Sequence, residues 1–418
     1  MIGESEEGEN LERLSDILGV EKFVYTHKAI YALKLFISAA KSRLLMMKNM
    51  KITLILGTRP QIIKSAPLIR LAELDPEIDL QIVHTGQHYD YEMSKEFFEE
   101  LNLPDPVVDL NIGSGTHAWQ TGKMMIGLEK LLVEEKPNMV VVPGDTNSTI
   151  AGALATAKLH MPVAHIESGA RSYDMSIPEE INRRLTDHCS TVLFAPTKNC
   201  VNNLLKEGID EKNIHLVGDT MYDSLLQHLP KAMEKKILDE LNLEPKDYAV
   251  LTMHRPDHVD FPEILKKIIE TMMQIRELVI VFPVHPRTMN RLKEAGLQKK
   301  ISKKSNIRLI KPAKYHEMLM LMKEAKIVFT DSGGIQKEAF WLQTPCATLR
   351  DQTEWIETVD LGANALVGVD PKKILLETER ILRKKDAKKM SKEKINPFGD
   401  GKASQKILRT IKDFCSRV

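Results

Sequence analysis

The chain has 418 residues, 43% hydrophobic and 28% charged, a balance that excludes a disordered or fibrous polymer and fits two or three globular domains. Lys and Arg number 59 against 58 Asp and Glu, so the net charge of +1 gives no global field for nucleic acid, and any anionic ligand must be held by local groups. Cys189, Cys200, Cys346 and Cys415 lie far apart with no CxxC pair, which argues against a disulfide framework or a zinc knuckle and fits a reducing cytoplasm.

Residues 1–49 give no strand signal. The apolar stretch 29–40 contains Lys34 and is followed by Lys41 and Arg43. It is too short and too charged for a membrane span, lacks a signal cleavage site, and reads as an amphipathic surface helix. Regular fold signals begin at Met50, so 1–49 reads as an extension, either a loose helix or a segment upstream of the native start.

From residue 51 short β-branched runs alternate with helical patterns. The candidate strands are 51–56, 80–84, 139–142, 162–166, 192–195 and 214–217, then 249–253, 278–284, 307–310, 327–329, 345–348 and 365–367. Segments of helical length lie between them, among them 61–74, 147–160, 197–206, 261–275, 315–323 and 335–342. Such alternation means βαβ units and parallel sheets buried on both faces. Twelve strands are too many for one ordinary sheet. The predicted fold is therefore α/β, with two Rossmann-like domains facing a cleft. The first spans 50–218, the second 219–401, and a helix at 402–418 packs back on the first.

Absences narrow the chemistry. No G-x-G-x-x-G follows a strand, no Walker phosphate loop or G-x-S-x-G elbow occurs, and no Asp-x-Asp is found. His254 and His258 have zinc-like spacing, but Pro256 between them breaks the helix that such a pair needs.

Positive signals cluster just after predicted strands. Gly57-Thr58-Arg59-Pro60 opens a helix after the first strand, with Lys64 one turn in, a cationic pair for phosphate or carboxylate. Thr330-Asp331-Ser332-Gly333-Gly334 opens another, exposing backbone N–H groups suited to a diphosphate, unless Ser332 serves only as a cap. Glu338, one turn in, would accept two ribose hydroxyls. Asp145 follows strand 139–142, Glu167 follows 162–166, and Glu179 and Glu180 fall in the loop beyond. Carboxylates crowded at strand ends suit acid–base work at neutral pH, although Asp145 would also serve as a helix N-cap. His254 and Arg255 follow strand 249–253 and face the cleft, as would His84, Gln87 and His88 at the end of strand 80–84.

Together these motifs resemble the non-hydrolysing UDP-N-acetylglucosamine 2-epimerases. The resemblance runs from about Met50 to the end of the chain. It rests on GTRP with Lys64, TGQH (85–88), GDT (144–146), HIESG (165–169) with Arg171, PEE (178–180) with Arg183, MHRP (253–256), VHP (284–286), DSGGIQKE (331–338), LRDQTE (349–354) and NPFGDG (396–401). It implies two Rossmann-like domains in the B-type glycosyltransferase arrangement, and neither metal nor NAD. UDP would lie mainly on the second domain, held by Arg59, Ser332, Gly333, Gly334 and Glu338, with Arg350 near the phosphates or base. Asp145, Glu167, Glu179 and His254 would surround the reacting sugar. The implied partners are a UDP-sugar, UDP, a second copy of the chain, and a regulatory UDP-N-acetylglucosamine. The implied role is cytoplasmic synthesis of a sugar for surface polysaccharide or glycoprotein glycan. Where most of the family reads TERPE, this chain has Thr353-Glu354-Trp355-Ile356-Glu357, and TGQH continues Tyr89-Asp90-Tyr91. Both features resemble the branch acting on UDP-2,3-diacetamido-2,3-dideoxyglucuronate. A glycosyltransferase would share the fold.

Overall fold

In β1 (Met50–Leu56), successive residues point to opposite faces, and both faces are buried. Ile52, Leu54 and Leu56 enter one core with Ile62 and Ile69, and Ile55 enters another with Leu128 and Val142. Such two-sided burial requires helices above and below a parallel sheet. The computed structural model describes residues 50–87, 91–304, 306–383 and 396–417; the expectations for 1–49 and for His88 fall outside these.

The first sheet adds β2 (Ile78–His84), β3 (Val108–Asp109), β4 (Met139–Pro143), β5 (Val163–Ile166), β6 (Val192–Ala195) and β7 (Ile214–Leu216). The second holds β8 (Tyr248–Thr252), β9 (Val279–Pro283), β10 (Ile307–Ile310), β11 (Ile327–Thr330), β12 (Cys346–Thr348) and β13 (Asn364–Leu366). The orders are β3-β2-β1-β4-β5-β6-β7 and β10-β9-β8-β11-β12-β13. Every pairing is parallel. Each order reverses direction once, between β1 and β4 and between β8 and β11, and ligands of such sheets bind at that reversal.

Two differences from the sequence reading stand out. β3 is a two-residue edge strand, too short for any periodicity to announce. Glu179 and Glu180 lie not in a loop but in the first turn of the helix Pro178–Cys189. Proline at the first helical position and acidic residues behind it are a helix-start signal, since they suit the free N–H groups and the positive dipole end.

Residues Met50–Val418 form one compact unit. The helix Ala403–Cys415 buries Ile407 and Ile411 in the core shared with the helix Arg59–Glu73, and Lys412 pairs with Asp75 at 2.7 Å. Between the sheets, Gly218 (φ +97°) and Gly399 (φ +95°) meet back to back. A Cβ on Gly218 would lie 2.9 Å from the Phe398 carbonyl oxygen, so a side chain is excluded there. This contact sets the entry to the helix Thr220–Met233 and places its cap, Asp219. Among the described residues no helix is long and apolar enough to cross a membrane.

Candidate active site

Four loops meet at the two reversal points. Those after β1 and β4 lead into the helix Arg59–Glu73, with Arg59 and Lys64, and carry Asp145; those after β8 and β11 carry His254, Arg255, Asp331 and Ser332 and lead into the helix Gly333–Trp341. Contacts between the halves are direct. Arg59 Nη2 donates to the Ala313 carbonyl at 3.4 Å, and Arg183 Nη2 lies 3.4 Å from Glu354 Oε1. Arg59 also stacks over Phe97, 4.1 Å from the ring centroid, and burial lowers its pKa.

Asp145 is not the helix cap; Thr146 is. The Asp145 carboxylate instead accepts from Arg183, at 2.9 Å from Nε and 2.7 Å from Nη2. The same guanidinium lies 3.0 Å from Glu180, whose carboxylate also receives the Ser172 and Tyr173 N–H groups. Desolvation raises the Glu354 pKa, but Arg183 and Arg350 overcome it and hold the group at about 2. Glu179 is half-buried, makes no hydrogen bond among the described residues, and acts electrostatically on His254.

Glu167 follows β5 with φ 73°, a left-handed conformation that turns the carboxylate into the cleft. Its Oε2 lies 2.9 Å from Lys64 Nζ and 3.2 Å from Lys337 Nζ. Burial alone would raise its pKa; the two ammonium groups hold it at about 2. His165, two residues earlier, is a buried strut between Asp187 (2.7 Å) and the Gly144 carbonyl (2.8 Å).

On the second half, Asp331 is fully buried and gathers the end of β8. It accepts from the N–H groups of His254 (3.0 Å) and Arg255 (2.9 Å) and meets Nδ1 of His254 (3.0 Å) and His258 (3.2 Å). The two histidines thus share a carboxylate. Desolvation and Asp331 act oppositely on His254, and Asp331 prevails, raising its pKa. With Nδ1 on Asp331 and the side chain 59% exposed, Nε2 is the ring nitrogen left for the cleft.

Ser332 caps the helix Gly333–Trp341, its Oγ accepting from the Ile335 N–H at 3.5 Å. The capping role is therefore filled, and the backbone N–H groups of Gly333 and Gly334, in the first turn, have no partner within the helix. A Cβ on Gly333 would lie 2.4 Å from Glu354 Oε1, whereas one on Gly334 meets only the end of Met221 at 3.2 Å. Arg350 is buried and pairs with Glu354 at 3.0 Å, while its Nη1 makes no hydrogen bond among the described residues.

Glu338 is buried, its Oε1 has no hydrogen bond among the described residues, and desolvation raises its pKa to about 7. A carboxylic acid raised in this way loses folding stability as pH climbs from its ordinary 4.5 through about 7, because ionisation is easier in the unfolded chain. Glu338→Gln is thus expected to stabilise the protein at pH 8, by on the order of 3 kcal/mol, with the gain shrinking toward pH 4.5. Melting curves at the two pH values check this; an equal gain at both would show that the carboxyl is not the cause.

Gln87 lies outside this cluster, its Oε1 bound to the Ser148 N–H (2.9 Å) and Oγ (2.7 Å). His84 does not line the cleft: it is buried against Phe98, with Nδ1 3.1 Å from Asp109. A cavity of 430 Å³ beyond β9 and β10, lined by Met289, Lys293 and Lys311 among others, contains none of the predicted site residues. Asp331, Arg183, Glu354, Lys337 and Asp219 were not singled out from sequence. The first four lie within motifs already quoted, but their partners are distant in sequence, and those of Arg183 and Lys337 reach across the two halves, so the pairings have no local signature.

Two Rossmann-like sheets meeting at their reversal points, with an acidic cluster facing a glycine-rich helix start, define a two-domain fold arranged like the B-type glycosyltransferases. The family model described as UDP-N-acetylglucosamine 2-epimerase matches residues 71–412. The UDP-N-acetylglucosamine 2-epimerase of Methanocaldococcus jannaschii is 50% identical over 374 residues, 87% of this chain and 99% of that protein. Its crystal structure in complex with UDP-GlcNAc and UDP matches with a TM-score of 0.81, covering 87% of this chain and 100% of that one. The UDP-2,3-diacetamido-2,3-dideoxy-D-glucuronate 2-epimerase of Pseudomonas aeruginosa is 42% identical over 367 residues, 87% of this chain and 99% of its own length. The chain belongs to the UDP-N-acetylglucosamine 2-epimerase family.

Proposed function

We propose that the protein interconverts UDP-N-acetylglucosamine and UDP-N-acetylmannosamine by inverting C2 of the sugar. What supports this chemistry is that Asp145, through Arg183 and Glu354, and Glu167, through Lys337, are tied to the surroundings of the Gly333–Gly334 helix start, while Glu179 acts electrostatically on His254. The C2 hydrogen lies beside an acetamido group rather than a carbonyl, so its direct removal would leave a poorly stabilised carbanion. Departure of UDP from C1 supplies the missing acidity. The C1–O bond breaks with its electron pair going to UDP, a base takes the C2 proton, and a C1=C2 double bond forms. Protonation at C2 from the other face and return of UDP to C1 complete the inversion. The helix N-terminus, Arg59 and Arg350 would stabilise the departing diphosphate. Groups of both protonation habits stand ready: carboxylates held ionised by cations, and His254 held by Asp331.

Incubation with UDP-N-acetylglucosamine in deuterated water, without an acceptor, tests this. The expected product is UDP-N-acetylmannosamine carrying deuterium at C2. Turnover that appears only with an added sugar acceptor would make the protein a glycosyltransferase, and retention of the original hydrogen would sink the elimination route. Trp355 and Ile356, together with the 42% identical relative, favour a second reading: the same inversion on a UDP-linked 2,3-diacetamido uronic sugar. Comparing turnover of the two sugars decides between them. Pairing of two copies and a regulatory second UDP-N-acetylglucosamine belong to the same proposal; sedimentation and the shape of the saturation curve test them.

The diphosphate seat has its own test. Gly334→Val adds bulk where the side chain meets only flexible Met221, so the free protein should stay folded. It should lose the thermal protection given by UDP. Undiminished protection would move the nucleotide elsewhere.

A further inference from the structure

Lys337 is 1% exposed, an unusual place for an ammonium group unless it is fully partnered. It stands on the helix Gly333–Trp341, one turn behind the two glycines. Its Nζ lies 2.5 Å from Asp219 Oδ2, at the crossover between the sheets, and 3.2 Å from Glu167 Oε2, on the first half. It also lies 3.8 Å from the centroid of the Trp355 ring. Trp355, which stands where the family pattern quoted above carries Arg, thus presents its ring face to the ammonium group.

We infer that Lys337 is the positioning residue for Glu167: it fixes the carboxylate from the second half and keeps it ionised as a base, tying it to the helix that receives the diphosphate. The inference rests on the epimerase reading above. Glu167 is faced by Lys64 from the helix Arg59–Glu73, Lys337 from the helix Gly333–Trp341, Asp219 behind Lys337, and the Cys200 thiol of the helix Lys198–Lys206. The thiol is buried, pushed up to about 12, and neutral. Burial works against the carboxylate's charge and the two lysines work for it, so with one lysine gone burial regains ground. Lys337 touches no reacting atom; it acts through Glu167.

The test compares kcat/KM for UDP-N-acetylglucosamine in wild type, Lys337→Gln, Lys337→Met and Lys337→Arg across pH 4.5 to 8. The ratio of wild type to variant cancels the titrating groups that Lys337 does not touch, and Asp219→Asn measured alongside accounts for its other carboxylate partner. For Gln and Met the ratio is expected to grow at least threefold between pH 7 and pH 4.5, carried mainly by kcat. For Arg, which restores the cation, it should stay flat. A ratio independent of pH in the folded Gln and Met variants would reduce Lys337 to a structural strut and overturn the inference. Failure of both variants to fold, judged by melting and by UDP protection, would overturn it equally. A wild type that does not turn over UDP-N-acetylglucosamine or the diacetamido uronic sugar would sink the epimerase reading, and the inference with it.

Discussion

Arg183→Met is expected to cost about 3–5 kcal/mol of folding stability at pH 7, the range for removing one partner of a buried ion pair. Arg183 is 4% exposed and serves three carboxylates from three places in the chain: Asp145 after β4, Glu180 one turn back, and Glu354 on the other half. Methionine fills the volume but supplies no charge. Asp145 is a quarter exposed and can recruit water, so its share of the loss is small. Glu180 keeps its backbone donors and Arg184. Glu354 keeps Arg350, its own backbone N–H and the more distant charge of Arg255, but it is nearly inaccessible to water, so the largest penalty falls there. The sign of the pH dependence follows. Glu354 sits at about 2 in the folded protein against an ordinary 4.5, so its stabilising contribution is whole above 4.5 and lost as pH falls through about 2. The gap between wild type and variant should therefore be widest at neutral pH and narrow in acid. Arg183→Lys, with charge but no planar fork, should fall between the two. Urea unfolding at pH 7 and at about pH 2.5 checks both statements; a loss under 1 kcal/mol at pH 7 would mean that water reaches the cluster.

The strands were legible because a parallel sheet buried on both faces writes itself as short apolar runs. β1, β4, β6 and β8 are almost wholly buried and appear in the sequence as KITLIL, MVVV, VLFA and AVLTM. β3 left no such trace, because two half-buried residues among prolines at 104 and 106 carry no pattern. The site loops were legible for a similar reason: reversal points of a doubly wound sheet must lie at strand ends, and the sequence marks strand ends clearly. What stayed hidden is which charge meets which. Lys337 reads locally as a surface lysine on an amphipathic helix, and only the tertiary fold shows Glu167 and Asp219 on either side of it. Asp331 reads as part of a cap motif, yet it organises His254 and His258 from the segment that follows the neighbouring strand. Glu179 and Glu180, adjacent in sequence, have different surroundings. A helix turn points one toward His254 and the other into a buried nest of N–H groups and arginines.

Glu167→Gln is expected to lower kcat by about 10²–10⁴, the range for loss of a general acid–base group, while UDP binding changes little. The substitution keeps length and leaves the backbone, already at φ 73°, with a side chain of the same shape. It removes the charge from between Lys64 and Lys337, which then face an amide. Two ammonium groups left short of a counter-ion carry a stability cost of their own, so the rate must be read with a melting curve. The thermal shift given by UDP provides that control, because the Gly333–Gly334 helix start and Arg350 do not depend on the Glu167 charge. The sharper readout is isotopic. If Glu167 takes the C2 proton, Glu167→Gln loses deuterium incorporation at C2 in step with epimerisation. If it only orders the cleft, exchange persists while net inversion slows. A fall of less than tenfold in both would remove Glu167 from the chemistry and leave the proton to Asp145 or Glu179, which are partly exposed and which no lysine clamps.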